Sequence, residues 1–224
     1  MRDSIVTLIL AAVAAGCGPQ LPDPVPVAEP GELARRLQTA PDRPQLITFD
    51  WRYRGRDGRF SGEGGVRFNP PDSVRLDLLG PGWSGVQTAV MLAEQVYYLG
   101  EQRVHLPPPT FMWTALGMFR PPWGIEPRAV RRGERVELTY DLAPRRAVTF
   151  AFDGAGRVVE AVLTIDGDAI EEIKLTRDGA DAGWSLPSEA RYRDLSEFHE
   201  VRIEVNEVRE HEPFEPRIFS VVPW

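Results

Sequence analysis

The chain holds a single cysteine, Cys17, among 224 residues. One cysteine excludes an intrachain disulfide. Histidine is nearly as scarce. His105, His199 and His211 make up the set, none at i, i+4 from another, and there is no HExxH. That spacing argues against zinc. Lysine occurs once, as Lys174. No GxSxG, phosphate-cradling glycine loop or activated cysteine occurs. Asp166-Gly167-Asp168 with Glu171 and Glu172 lacks the rest of a calcium loop and reads as a hairpin with solvated neighbours. The expectation is a protein without metal or cofactor and not an enzyme, although paired carboxylates at a glycosidase distance would leave no mark in the sequence. The net charge of −7 opposes general affinity for nucleic acid or anionic lipid surfaces.

Long apolar runs are also missing. SIVTLILAAVAA, residues 4–15, falls short of the ~20 residues that span a bilayer. It fits the apolar stretch of a secretion signal, although Asp3 offsets Arg2. The run ends Ala14-Ala15-Gly16-Cys17, which resembles the lipobox of bacterial lipoproteins. The resemblance implies cleavage before Cys17, a diacylglycerol on its sulfur and an acyl chain on its amine. A small hydrophobic cysteine inside a discarded signal is the plainer alternative. Two or more chains make a stable tether where one does not. Gly18 follows, where inner-membrane lipoproteins often carry Asp, so the analogy points to the outer membrane, on the periplasmic side. Residues 18–30, GPQLPDPVPVAEP, contain five prolines. They read as a semi-rigid extended spacer without hydrogen-bonded structure. The expected organisation is a signal over 1–16, a lipidated Cys17 and linker over 17–30, and one domain over 31–224.

A chain of this length buries roughly 70% of its unfolded surface and needs no staples. Residues 31–40 read as a short helix with Leu33 and Leu37 on one face. Beyond it, apolar residues recur every second position in 46–53, 74–78, 134–142, 148–152, 158–165, 170–175 and 201–208. Half-buried antiparallel strands give this alternation. Asp57-Gly58, Asp153-Gly154, Asp166-Gly167 and Asp178-Gly179 separate apolar-patterned runs, as hairpin turns with positive φ do. Together they predict an all-β meander of ten or eleven strands in one large curved sheet, without βαβ units or solenoid repeats. Gly62, Gly64 and Gly65 are expected to permit a bend or bulge.

One segment departs from this pattern. In PPPTFMWTALGMFRPPWGI, residues 107–125, three prolines are expected to end a strand and Thr110 to cap a helix. That short element is apolar nearly all round, so protein core or a ligand must cover it. It reads equally as a plug of the core or as a lid.

FSGEGGVRFNPPDSVRLDLLGPG, residues 60–82, resembles the start of the LolA/LolB-type lipoprotein-carrier fold. Gly65, Val66, Phe68, Pro71, Val74, Arg75, Leu76, Leu78, Pro81 and Gly82 carry the likeness. The helical insertion and the closing EPFEPRIFSVVP, residues 212–223, agree with it. The resemblance implies a strongly curved antiparallel sheet forming a half-open barrel, closed by helices over an apolar cavity. Such a cavity takes acyl chains or lipidated clients. The candidate lining is Phe49, Trp51, Leu76, Leu78, Met91, Phe111, Trp113, Leu116, Met118 and Phe119, any of which could equally be plain core. Met suits irregular chains. The family's membrane-contacting turn corresponds to GPGWSG, where Trp83 would meet the bilayer interface or fold back onto the rim. The proline-rich linker is longer than a dedicated acceptor needs, and the fold supports apolar binding better than transfer. The competing reading is a structural or protein-interaction lipoprotein with a filled core. Either way a monomer is expected.

Overall fold

In the computed structural model, residues 22–82, 85–179 and 184–221 are described. After strand β1 (Val25–Pro26) and helix α1 (Pro30–Leu37), five strands follow: β2 (Gln45–Gly55), β3 (Gly58–Asn69), β4 (Ser73–Leu79), β5 (Gln87–Leu92) and β6 (Gln95–Leu99). Helix α2 (Pro109–Ala115) interrupts the series. Then come β7 (Arg128–Arg132), β8 (Arg135–Ala143), β9 (Arg146–Phe152), β10 (Val158–Ile165), β11 (Asp168–Thr176), β12 (Glu189–Asp194) and β13 (His199–Glu210). A 3-10 turn at Pro216–Phe219 lies against β4.

All 13 strands join one sheet, in the order β1-β7-β8-β9-β10-β11-β12-β13-β2-β3-β4-β5-β6. Every pairing is antiparallel. The sheet is open, with β1 and β6 as its edges. This is the curved half-barrel expected, with more strands among the described residues than the ten or eleven counted. The extra ones give a weak pattern. β5 is buried on both faces, β7 (RAVRR) is mostly arginine, and β12 (EARYRD) is short, with Ala190 and Tyr192 as its apolar residues.

The alternation decides the faces. Ile47, Phe49, Trp51 and Tyr53 on β2 are buried while Thr48, Asp50, Arg52 and Arg54 are exposed. The buried set looks into the concave side. Strand β3 runs without a register shift through Gly62, Gly64 and Gly65, so of the bend or bulge expected there no bulge is present. The glycines make room for their cross-strand partners. Gly64 pairs with Phe49 and Gly62 with Trp51. A Cβ at Gly64 would overlap the Phe49 ring, and one at Gly62 the carbonyl oxygen of Leu79. Trp51 Nε1 lies across β3 and donates to Glu63 O and Leu79 O at 3.0 and 3.2 Å.

Three local expectations need correction. The proline-rich segment does form hydrogen-bonded structure, because Val25 and Pro26 pair with Arg131 and Val130 and Val27 N–H donates to Ala129 O. An edge position tolerates proline, which has no N–H to donate. Pro107–Pro109 do not end a strand, since β6 stops at Leu99. Thr110 does not cap α2. Pro109 starts that helix and Thr110 lies inside it, where its carbonyl accepts from Thr114 Oγ1. Among the turns, Asp166 and Gly167 have φ of 56° and 90°, as a primed hairpin needs. Asp153-Gly154 instead belongs to a longer turn in which Asp153 Oδ1 accepts from Ala155 and Arg157 N–H. Asp178-Gly179 opens the long connection to β12.

Candidate functional site

Chain order explains why α2 is apolar. β6 is one edge of the sheet and β7 borders the other, so residues 100–127 must cross the open side of the half-barrel. The crossing starts as a strap over 103–107. Gln87, 2% exposed, latches it: Nε2 donates to Val104 O at 2.9 Å, and Oε1 accepts from Arg103 and Val104 N–H at 2.7 and 3.0 Å. α2 follows and then turns back at Gly117. That residue has φ +72°, and a Cβ there would sit 2.6 Å from Ser185 O. Glycine is required on both counts. Trp184 Nε1 donates to Leu116 O at 3.1 Å, which ties the 184–188 connection to the end of α2. Arg177, donating to Val158 O and Ser185 O, supports the same connection from below. Burial lowers its pKa to about 10.

Between this cover and the concave face lies an apolar slot. β2, β4 and β13 supply most of the floor. Val104, Leu106, Met112, Ala115, Leu116 and Leu186 supply the cover. No charged side chain lines it. The slot is narrow, with only about 50 Å³ wide enough for the centre of a water molecule. A guest larger than a few waters has to widen it.

The other side of α2 differs. Phe119 packs edge-on against Phe150 and Phe152, with ring centroids 4.8 and 5.0 Å away, and beside Tyr140. These rings are at most 2% exposed. The Tyr140 hydroxyl is buried without a hydrogen-bond partner among the described residues, and burial drives its pKa up. An open groove runs along the outer flank of α2. Phe111, Trp113, Val148 and Leu163 form its floor, and Arg120, Arg146 and the 89%-exposed Trp123 its rim. Arg120 lies over the Trp113 ring at 4.9 Å.

No protein-family model matches the sequence, and no curated protein matches it significantly. Solved structures do match. A LolA superfamily protein from Nitrosomonas europaea superposes with a TM-score of 0.56 at 11% identity, over 87% of this chain and 98% of that one. A putative outer membrane lipoprotein-sorting protein domain from Vibrio parahaemolyticus gives 0.50 at 8% identity, over 84% and 94%. The fold is LolA-like.

Within this LolA-like frame the candidate lining residues separate into three groups. Phe49, Trp51, Leu76, Leu78, Met91 and Leu116 meet in the slot. Phe111 and Trp113 line the outer groove. Met118 and Phe119, 1% and 2% exposed, lie in the buried core, with Phe119 on the packed side. Alternation alone could have added Ile47, Tyr53, Val201, Ile203 and Val205 to the slot. Val104, Leu106 and Leu186 sit in irregular segments and carry no such signal. Cys17 and Trp83 lie outside the described residues. Among the described residues no three His, Cys, Asp or Glu gather as metal ligands, and no helix is long and apolar enough to cross a membrane.

Two histidines far apart in sequence come together at one end of the slot. The His199 ring lies 6.0 Å from His105, 5.9 Å from Tyr53 and 5.7 Å from Tyr192. Burial lowers the His199 pKa, and its Nε2 has no partner among the described residues. Tyr192 Oη donates to Glu171 at 2.8 Å, and burial raises both pKa values.

Proposed function

We propose that the protein is a lipid-anchored envelope lipoprotein that takes an acyl chain or a lipidated client into the slot, in lipoprotein localisation or envelope biogenesis. The observation that carries this reading is the slot itself. It is a long internal surface without one charged side chain, left incompletely filled and covered by a crossing segment rather than by sheet. Burying a 16-carbon chain yields on the order of 12 kcal/mol gross at about 0.8 kcal/mol per methylene. Widening the slot and displacing α2 offset part of that, so binding can stay reversible. The narrowness of the slot favours a second reading, a structural or interaction lipoprotein whose interior stays shut.

Native mass spectrometry of the protein released from its membrane separates the two. Acyl-chain adducts are expected on the native chain and not on Ala115→Trp, which places an indole in the slot. Adducts that persist unchanged in that variant, or their absence from the native chain, would sink the acyl-chain reading.

The anchor would be Cys17, with 1–16 removed and the tether confined to the residues ahead of Pro22, because β1 already belongs to the sheet, at the outer membrane facing the periplasm. The tether is short. Pro22 lies beside Gly133, in the β7–β8 turn, and only ~16 Å of extended chain separates it from Cys17. The connection from β4 to β5, in whose sequence Trp83 falls, leaves and rejoins the sheet at the other end of the strands, which reach ~40 Å along β3. Contact of this connection with the anchoring bilayer would need the half-barrel to lie on its side. Replacing Trp83 with Glu tests that arrangement, because unchanged partition of the untethered protein onto liposomes would exclude it.

A further inference from the structure

We propose that the convex face carries a binding site for a phosphoryl oxyanion, built on Arg54 and Arg59. The two residues are direct cross-strand partners on β2 and β3, and their row continues through Glu200 of β13 to Arg193 of β12 and Glu172 of β11. The neighbouring row is Arg202, Arg52 and Ser61. Arg54, Arg59, Glu200 and this second row surround a depression in which about 340 Å³ is wide enough for the centre of a water molecule.

Opposed like charges destabilise a sheet unless something offsets them. In the second row the offset is visible. Arg52 Nη1 lies 3.1 Å from Glu204 Oε1 and Arg202 Nη2 2.7 Å from Glu189 Oε2. Arg191 and Arg193 on the same face are also paired, with Glu200 and Glu172. Arg54 and Arg59 have no carboxylate within ion-pair distance among the described residues. Glu200, the acid next to Arg54 in their row, is engaged by Arg191 through both Nε and Nη2 at 2.9 and 2.6 Å. Asp57, in the turn between the strands, is largely exposed and lies 3.8 Å from His105. Acidic residues outnumber basic ones, 33 to 26, so this pair is left open in a chain with carboxylates to spare.

Two guanidinium forks rising from adjacent strands, with Cβ atoms ~5 Å apart, can both donate to one tetrahedral oxyanion. The Ser61 hydroxyl stands on the same face one row away. A phosphate monoester and the diester of a lipid headgroup share this chemistry. The site lies at the end of the strands opposite Pro22, where the chain leaves toward Cys17.

Calorimetric titration of the full chain in neutral detergent, at fixed ionic strength, tests the assignment with two probes. They are inorganic phosphate and glycerophosphoglycerol, a water-soluble headgroup diester. Saturable binding of phosphate is expected, roughly tenfold weaker in Arg54→Gln/Arg59→Gln. Arg36→Gln, which removes an exposed arginine of α1 without a carboxylate partner, is expected to bind as the native chain does. Equal binding of the diester identifies a headgroup site, and phosphate alone a free monoester site. The double variant removes opposed like charges, so its Tm should hold or rise, which separates lost binding from lost folding. Absence of saturable binding by either probe overturns the proposal, as does a double variant that binds like the native chain.

Discussion

α2 divides the interior of the half-barrel into two unlike sides. Toward β8 and β9, Phe119 meets Phe150, Phe152 and Tyr140 ring against ring. Toward β2, β4 and β13, large residues again converge, yet they leave a slot. Both sides are apolar and buried, so burial does not tell them apart. The difference lies in what faces the sheet. On the packed side the crossing segment inserts a rigid aromatic ring whose edge fits between others. On the slot side it presents Ala115, Met112 and Leu116, one too small and two deformable. The first arrangement holds the fold, and the second leaves part of the apolar surface in want of a neighbour.

Single truncations should expose that contrast most strongly. Phe119→Ala is expected to cost about 3–5 kcal/mol of unfolding free energy in urea, and Met91→Ala in the slot wall only about 2. Equal losses would mean that the two sides are packed alike. Next in size is the latch. Gln87→Ala strands the Val104 carbonyl and the Arg103 and Val104 amides, at about 1–3 kcal/mol for the groups left unpaired. Hydrogen exchange at those amides should speed up while the core of β8 and β9 is unaffected. If both regions accelerate together, the strap is not a separate unit.

Gly64→Ala should cost less, about 1–2 kcal/mol, because the Phe49 ring can move into the slot to clear the new methyl. It should also reduce acyl-chain adducts in native mass spectra. A normal adduct pattern would place the guest elsewhere, with the groove beside Trp123 as the next candidate. The smallest effect concerns pH. Burial holds the His199 pKa below its ordinary value of about 6.5, so on acidification the unfolded chain takes up the proton first. Its contribution is thus present above that pH and lost on acidification. Tm should decline between about pH 7.5 and 5.5, and His199→Phe should flatten the decline. An unchanged slope would remove His199 as its source.

The period-two pattern in 46–53, 134–142 and 201–208 was enough to read an antiparallel curved sheet, because one packed face and one wet face impose it. β7 escaped because arginine occupies most of it, and β5 because both its faces are covered. The composition of residues 111–119 marked the crossing element, and left open whether it was plug or lid. Its position puts packed aromatic core on one side of it and the slot on the other. Phe119 and Leu116, three residues apart, face opposite sides once Gly117 turns the chain. Neither the positive φ at that glycine nor the meeting of His105 with His199, 94 positions apart, follows from local pattern, since both are fixed by tertiary contacts.

The segment from 100 to 127 joins β6, one lip of the open sheet, to β7, the strand beside the other lip. A flap hinged at one end swings aside and leaves the frame alone. A cord fastened at both sides of an aperture cannot. If the slot takes a guest as proposed, lifting α2 off the floor would pull on β6 and β7 together and couple the guest's entry to the spread of the barrel mouth. Anything that staples those lips would shut the vessel without touching its lining.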